Sequence, residues 1–199
     1  MKKISSDLIK ELRIITGAGM MDCKNALIKS GCDVDKALYE LKKQGLVTAT
    51  KKMHKIAAEG LINSYIHIGN RIGILIELNC ETDFVARREE FHELSKNISM
   101  QLAAYSNIQY IDIEDIPIEV RNREKDLELC KVDLFDKPKE IVEKIVEGRL
   151  QKTLKSMTLL NQEYIKDNSI TVGDLIKLSI AKLGENIKVK RFVRFVLGE

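Results

Sequence analysis

Apolar residues at the start of the chain recur every three or four positions, which is the spacing of an amphipathic helix. Within residues 1–46 this pattern is broken by Thr16-Gly17-Ala18-Gly19 and by Gly31, and it stops at Gly45. Glycine permits the backbone angles of sharp turns and helix ends, so the breaks predict three short helices. Their predicted buried residues are Leu8, Ile9, Leu12 and Ile15, then Met21, Ala26 and Leu27, then Val34, Ala37, Leu38 and Leu41.

The caps and the loss of this pattern predict a small N-terminal domain. Ser5 or Ser6 is the expected N-cap of the first helix and Asp33 that of the third. A unit of about 45 residues is only marginally stable alone, which favours an adaptor over an enzyme. Residues 47–56 lose the apolar period and predict a linker, and 57–199 then form the core domain.

The core begins with alternating apolar and polar residues, the period of β-strands. Two alternating segments, 62–68 and 72–78, flank Gly69-Asn70, which predicts a hairpin with a two-residue turn. Residues 108–113 predict a short strand, and 186–197 predict a closing strand.

Helical patterns fill most of the remaining core. A long helix is predicted over 83–105, a projecting antiparallel helical hairpin over 117–156 with a turn at Asp136-Lys137-Pro138-Lys139, and another helix over 170–183. The fold class is therefore α+β: an N-terminal three-helix unit precedes an antiparallel sheet packed by helices.

Composition narrows the function classes. The 199 residues are 44% hydrophobic and 32% charged, which is typical of a soluble globular protein. A net charge of +3 does not require a nucleic-acid partner. No apolar run approaches the roughly 18 residues of a membrane span, and no targeting peptide is visible. The four cysteines form no CxxC pair and the three histidines have no ligand spacing, so no metal site is predicted.

The stretch Asn79–Val85 stands out because it lies where the strand pattern ends and a helix begins. Glu77, Glu81 and Asp83 there suggest an acid/base enzyme, but no nucleophile, metal ligand or glycine-rich loop accompanies them. Gly17-Ala18-Gly19 suggests a phosphate loop, but no strand precedes it and no Gly-Lys-Ser/Thr follows at the required spacing. A tight turn between helices is the simpler interpretation.

Phe84 supports two interpretations. It recurs at seven-residue spacing with Phe91, Ile98 and Tyr105, so a place in the core is the default. It also lies in the first helical turn, where a protruding aromatic beside an acid would suit a partner's pocket. A different alternative is a ribosome- or RNA-associated module that uses the basic strand residues Lys188, Lys190, Arg191 and Arg194.

Four ordered motifs resemble the elongation factor Ts family, and the match covers nearly the whole chain. They are Thr16–Lys24, Glu77–Ala86, Lys137–Arg149, and Thr171-Val172-Gly173 together with Arg191-Phe192 to Gly198. Longer members carry two related core subdomains, and this chain has room for one, so it resembles a short form of bacterial or plastid type.

The resemblance implies a guanine-nucleotide exchange factor that binds elongation factor Tu, displaces Mg²⁺ and releases GDP. It implies that Thr82, Asp83, Phe84 and Val85 carry the Mg²⁺ displacement, with Asp83 and Phe84 as the intruding pair. It also implies that the three-helix unit is similar to a ubiquitin-associated-type docking domain. Further partner contacts are then expected at Gly19, Met20, Met21 and Gln101.

The same resemblance sets the remaining expectations. They are no catalytic residue, no cofactor, and no direct binding of nucleotide, nucleic acid or membrane. Two copies can pair to give a complex of two factors with two elongation factors Tu. The expected location is a bacterial cytoplasm or, for an organelle-encoded protein, the plastid stroma.

Overall fold

The computed structural model describes residues 5–131 and 138–198, and these form a mixed α and β structure, as predicted. The described helices are α1 (Ser6–Thr16), α2 (Met20–Lys29), α3 (Val34–Lys52), α4 (Asp83–Ala86), α5 (Glu89–Ala104), α6 (Ile118–Leu129), α7 (Lys139–Ser156) and α8 (Val172–Leu183). The strands are β1 (Glu59–Ile66), β2 (Ile72–Cys80), β3 (Glu163–Tyr164), β4 (Asp167–Thr171) and β5 (Lys188–Val196).

Spatial proximity groups the described residues into two compact units. The first holds the residues up to Asn63, Glu77–Lys96 and Asp174–Val189. The second holds Ser64–Ile76, the described part of Asn97–Gly173, and the residues from Lys190 onward. The division into domains of residues 1–46 and 57–199 with a linker between them remains a prediction.

The first unit contains the three predicted N-terminal helices. The Ser5 hydroxyl accepts the Leu8 amide at 3.1 Å and caps α1, while the Asp33 carboxylate accepts the Lys36 amide at 3.1 Å and caps α3. Both predicted caps are confirmed. Gly17 ends α1 with a left-handed φ of 67°. The buried core of this bundle comprises Leu12, Cys23, Ala26, Leu27, Ala37 and Leu41.

The predicted helix end at Gly45 is wrong, because α3 continues without interruption to Lys52. A Cβ at position 45 would lie 3.1 Å from the Cβ of Ala181 on α8. Gly45 therefore serves close packing between α3 and α8 rather than a helix end. Residues 47–52 of the predicted linker are consequently helical.

A three-stranded sheet has the order β1-β2-β5. The predicted hairpin of β1 and β2 is present, and both residues of Gly69-Asn70 have positive φ at its tip. The His67 amide donates to the Ile72 carbonyl at 2.9 Å, so the connection is longer than two residues. The Leu197 amide donates to the Arg71 carbonyl at 2.8 Å, which joins the end of β5 to the start of β2 in antiparallel fashion.

One face of the sheet is apolar and exposed among the residues that the structure describes in the second unit. A Cβ at Gly73 would lie 3.3 Å from the Ile66 side chain and 3.9 Å from that of Phe195, so these residues are neighbours on one face. Leu75 and Val193 share this face by strand alternation, and both are exposed. We name Ile66, Gly73, Leu75, Val193 and Phe195 the open sheet face. The alternate β2 residues Ile74 and Ile76 are buried.

The predicted helix over 83–105 is two helices. The chain leaves α4 at Arg87, and α5 starts at Glu89. The Arg88 amide donates to Val85 and the Phe91 amide to Arg88, which are bonds of tight turns at this junction.

The strand predicted over 108–113 is absent. Tyr110 and Thr158 form an isolated bridge rather than part of a strand, and Ile113–Asp115 is a turn of 3-10 helix. The side chains of Asp112 and Asp115 each accept backbone amides at this turn. Amides that would pair with a neighbouring strand are therefore bonded locally.

The predicted helical hairpin is confirmed in α6 and α7, which pack on each other. Part of its predicted turn, Asp136 and Lys137, lies outside the described residues. Ile116, Leu150 and Leu154 form a buried cluster in this region. The predicted closing strand is present as β5, whereas the small hairpin of β3 and β4 had no prediction.

Candidate functional site

The strand-to-helix corner of the first unit places buried and exposed residues next to each other. Cys80 ends β2 and is fully buried, and Val85 and Ala86 in α4 are buried as well. Phe84, between them, is 79% exposed. A single helical turn thus holds one face in the core and points the aromatic ring of Phe84 into solvent.

The default placement of Phe84 in the core was wrong. Phe91 and Ile98 are buried on α5, as the seven-residue spacing predicted. The junction at Arg87–Arg88 separates α4 from α5, so the spacing does not carry through to Phe84. The protruding interpretation fits the structure.

Asp83 is the neighbouring acid of this exposed pair. Its carboxylate is 48% exposed and lies 3.0 Å from the guanidinium of Arg87. An acid in the first turn of a helix is favoured by the unpaired amides there. Exposed ion pairs of this kind contribute little to stability, so Asp83 can exchange Arg87 for another contact at low cost.

Thr82 is held by a carboxylate from a distant part of the sequence. Glu185 accepts the Thr82 amide at 3.0 Å and the Thr82 hydroxyl at 2.6 Å. Both partners belong to the first unit. The two residues are 103 positions apart, and no local pattern in the sequence indicated their pairing.

Glu81 is held in the same way. Its carboxylate accepts Lys55 Nζ at 2.8 Å and the Asn186 amide at 2.7 Å. The bond from Lys55, and next that from Asn186, keeps the pKa of Glu81 below its ordinary value. Glu81 is therefore ionised near neutral pH and bonded through both oxygens, so it is a poor general base.

Cys80 closes the inner side of the corner. Its thiol donates to the Thr82 carbonyl at 3.1 Å. Burial, and next the negative charge of Glu185, raises the pKa of Cys80 to about 11. The thiol therefore stays protonated near neutral pH and keeps its donor role.

Gly19, Met20 and Met21 lie where α1 turns into α2. Gly19 is the N-cap of α2, and its position has no side-chain cap bond. Met20 and Met21 are exposed, so Met21 does not join the buried side of α2 as predicted. The α2 residues that do so are Cys23, Ala26 and Leu27.

Gln101 lies in the second unit and is fully buried. Its side-chain amide donates to the Glu163 carbonyl at 2.8 Å, and its oxygen accepts the Ile165 amide at 2.9 Å. This pair of bonds accounts for Gln101 as a structural residue of the β3–β4 region. A partner contact would require them to break, and the expected contact role remains a prediction that the burial disfavours.

Neither a metal-binding cluster nor a membrane-spanning helix occurs among the described residues. Within 5–131 and 138–198, no cluster of three or more His, Cys, Asp or Glu side chains is arranged to hold a metal ion. Among the helices in this same part of the chain, none combines the length and apolar character that a membrane crossing needs.

The chain is similar to known proteins over nearly its full length. The family model described as "Elongation factor TS" matches residues 23–199. The chain is 58% identical over 196 residues to "Elongation factor Ts" of Synechococcus sp. strain JA-2-3B'a(2-13), which covers 98% of this chain and 76% of the relative. It is 58% identical over 197 residues to "Elongation factor Ts, chloroplastic" of Guillardia theta, covering 99% and 90%. It is 55% identical over 199 residues to "Elongation factor Ts" of Synechococcus elongatus, covering 100% and 90%.

Replacing the fully buried Gln101 by Leu should lower the free energy of unfolding by about 1–3 kcal/mol, because the Glu163 carbonyl and the Ile165 amide lose their partner. Urea unfolding followed by circular dichroism measures this loss. Gln151→Leu, at an exposed position on α7, is the matched control and should shift stability by less than about 0.5 kcal/mol. Equal small effects of both variants would contradict the structural role.

Alkylation of the native protein near neutral pH should modify Cys130 well before Cys80. Cys130 is exposed, whereas Cys80 is buried with a pKa raised to about 11, and only the thiolate reacts. Mass spectrometry of timed iodoacetamide reactions measures the order. The difference should disappear in urea-unfolded protein, and rapid labelling of native Cys80 would rule out the protected corner.

Proposed function

Because the chain belongs to the elongation factor Ts family, we propose that it is the guanine-nucleotide exchange factor of elongation factor Tu. It is a translation elongation factor. The observation that carries the exchange proposal is the projection of Phe84, 79% exposed, beside the accessible acid Asp83. A large apolar ring in solvent costs free energy unless a partner covers it.

The proposed mechanism uses Thr82–Val85 as a wedge. Mg²⁺ bound with GDP bridges phosphate and protein oxygens in a GTPase, so its loss weakens nucleotide binding. Phe84 inserts into a pocket of elongation factor Tu, and Asp83 brings a negative charge next to the groups that hold the metal. Thr82 and Val85 keep the wedge attached to the core, through Glu185 and through burial respectively.

Binding and nucleotide release are coupled reciprocally in this proposal. The factor binds best to a state of elongation factor Tu that holds GDP poorly, so each ligand weakens the other by the same factor. GTP binding then expels the factor. No covalent bond forms or breaks, so the chain needs no catalytic residue or cofactor and is not an enzyme.

The N-terminal helices supply a second docking surface. Met20 and Met21 are exposed at the start of α2, next to the backbone of Gly19. Methionine is flexible and polarisable, which suits an adaptable apolar contact. We assign this turn the role of holding elongation factor Tu while the wedge acts.

The open sheet face binds a second copy of the chain. It places Ile66, Leu75, Val193 and Phe195 side by side with exposed side chains, and none of the described residues of the second unit buries them. Apolar patches of this kind mark interaction sites, and a self-complementary patch closes as a twofold dimer. A complex of two factors with two elongation factors Tu follows.

The protein acts where translation takes place, in a bacterium or in a plastid.

Phe84→Ala and Asp83→Ala should each slow the release of fluorescent GDP from elongation factor Tu by about tenfold or more, as for central interface residues. Release is followed by stopped flow at saturating factor. The Phe84 side chain is exposed and the Asp83 side chain is about half-exposed, so the free energy of unfolding should change by less than about 0.5 kcal/mol.

The matched control for this experiment is Ile118→Ala, an apolar residue on α6 that is 61% exposed. It should leave GDP release unchanged. Absence of any acceleration by the wild-type chain would overturn the proposed function. Unfolding of the Phe84→Ala variant would instead return Phe84 to the core.

Phe195→Asp should convert the dimer to a monomer, because an aspartate would be buried without a partner in an apolar interface. Light scattering after size exclusion measures the mass. Ile118→Asp introduces the same charge at a similarly exposed apolar position and should leave the dimer intact. A monomeric wild type would overturn the dimer proposal.

A further inference from the structure

The loop after α8 holds the wedge through two neighbouring residues. Gly184 turns the chain with a φ of +82°, and Lys52 at the end of α3 donates to its carbonyl. The next two residues, Glu185 and Asn186, then form hydrogen bonds with Thr82 and Glu81, which immediately precede α4. These elements all belong to the first unit.

Glu185 sets how α4 begins. Thr82 is the N-cap of α4, and an N-cap threonine normally bonds an amide within its own helix. Here it forms no such cap bond. Its hydroxyl and its amide both donate to Glu185, at 2.6 and 3.0 Å. The direction of α4 is therefore set by a carboxylate from another part of the chain.

Asn186 fixes Glu81, the residue that precedes the N-cap Thr82. It is 4% exposed, and its backbone amide donates to Glu81 at 2.7 Å. Its side-chain amide donates to the carbonyls of Lys55, at 2.6 Å, and Met53, at 3.3 Å. Asn186 thus joins the base of the wedge to the segment that follows α3.

These bonds matter because α4 cannot hold its own geometry. A helix of four residues is too short to be stable by itself. The Lys55–Glu81 ion pair is a weak substitute, since the Lys55 side chain is 56% exposed. The two bonds to the Glu185 carboxylate are charge-assisted and partly buried, so they are the stronger restraint.

We propose that Glu185 and Asn186 are positioning residues for nucleotide exchange, which fix residues 81–82 so that Asp83 and Phe84 project before the partner arrives. The inference rests on the proposed exchange function. A wedge already ordered in the free protein loses less conformational freedom on binding. Neither residue is required to touch elongation factor Tu.

The restraint is tested first in the free protein, without any partner. Hydrogen exchange measured by mass spectrometry on the peptide covering residues 81–88 should become about tenfold faster or more in Glu185→Ala. Asp115→Ala is the matched control, because it also removes a carboxylate from a backbone amide, that of Asp112 at 2.9 Å, but in the second unit. It should leave the 81–88 peptide unchanged. Unchanged exchange in Glu185→Ala would overturn the proposal.

The functional arm measures GDP release from elongation factor Tu. Glu185→Ala should slow release at saturating factor by about tenfold, and Glu185→Gln, which keeps one acceptor oxygen, should recover part of the loss. Asn186→Ala keeps the backbone amide that bonds Glu81 but loses the side-chain bonds to the carbonyls of Lys55 and Met53, so it should slow release by less than Glu185→Ala does. Circular dichroism checks that each variant is folded.

A combined variant separates positioning from a general loss of structure. When Asp83 and Phe84 are both alanine, adding Glu185→Ala should cause no further slowing, because Glu185 acts only through the wedge. Additive slowing would overturn the positioning role. If the wild-type chain does not accelerate GDP release from elongation factor Tu, the proposed exchange function fails. The hydrogen-exchange result still decides whether Glu185 orders the wedge.

Discussion

The chain has to turn from β2 into α4 while burying residues on both sides of the turn and exposing the one between them. Cys80 and Val85 are buried, and Phe84 is in solvent. Burial alone cannot maintain this arrangement of buried and exposed residues, because the hydrophobic effect is non-directional and favours covering Phe84 as well. The carboxylate of Glu185 supplies the missing direction, since it fixes both the amide and the hydroxyl of Thr82.

The same constraint explains how charge is used around the corner. Glu81 and Glu185 are occupied by amides, a hydroxyl and an ammonium from the same unit, so their charges serve the fold. The Asp83 carboxylate is instead paired with the exposed guanidinium of Arg87, so its charge is available to a partner. The three acids at this corner therefore have two roles, and the bonds that each accepts distinguish Asp83 from Glu81 and Glu185.

Local signals predicted most elements of the fold. Ser5 and Asp33 cap helices as expected, because an N-cap bond depends only on residues a few positions apart. One failure arose where tertiary packing overrode a local rule, and another where a local capped turn replaced a strand. Gly45 looked like a helix end but allows α3 to approach Ala181, and the strand predicted over 108–113 is replaced from Asp112 onward by a turn that Asp112 and Asp115 cap.

The sequence by itself determined the fold class, the hairpin, the motif around Asp83 and the family, because all of these are recorded in short spacings or in ordered residue identity. Only the tertiary structure decided that Phe84 is exposed, that Gln101 is buried, and that Glu185 and Asn186 hold the corner. The physical reason is separation along the chain. Bonds between residues 81–82 and 185–186 span more than a hundred positions, and no periodicity of apolar residues records them.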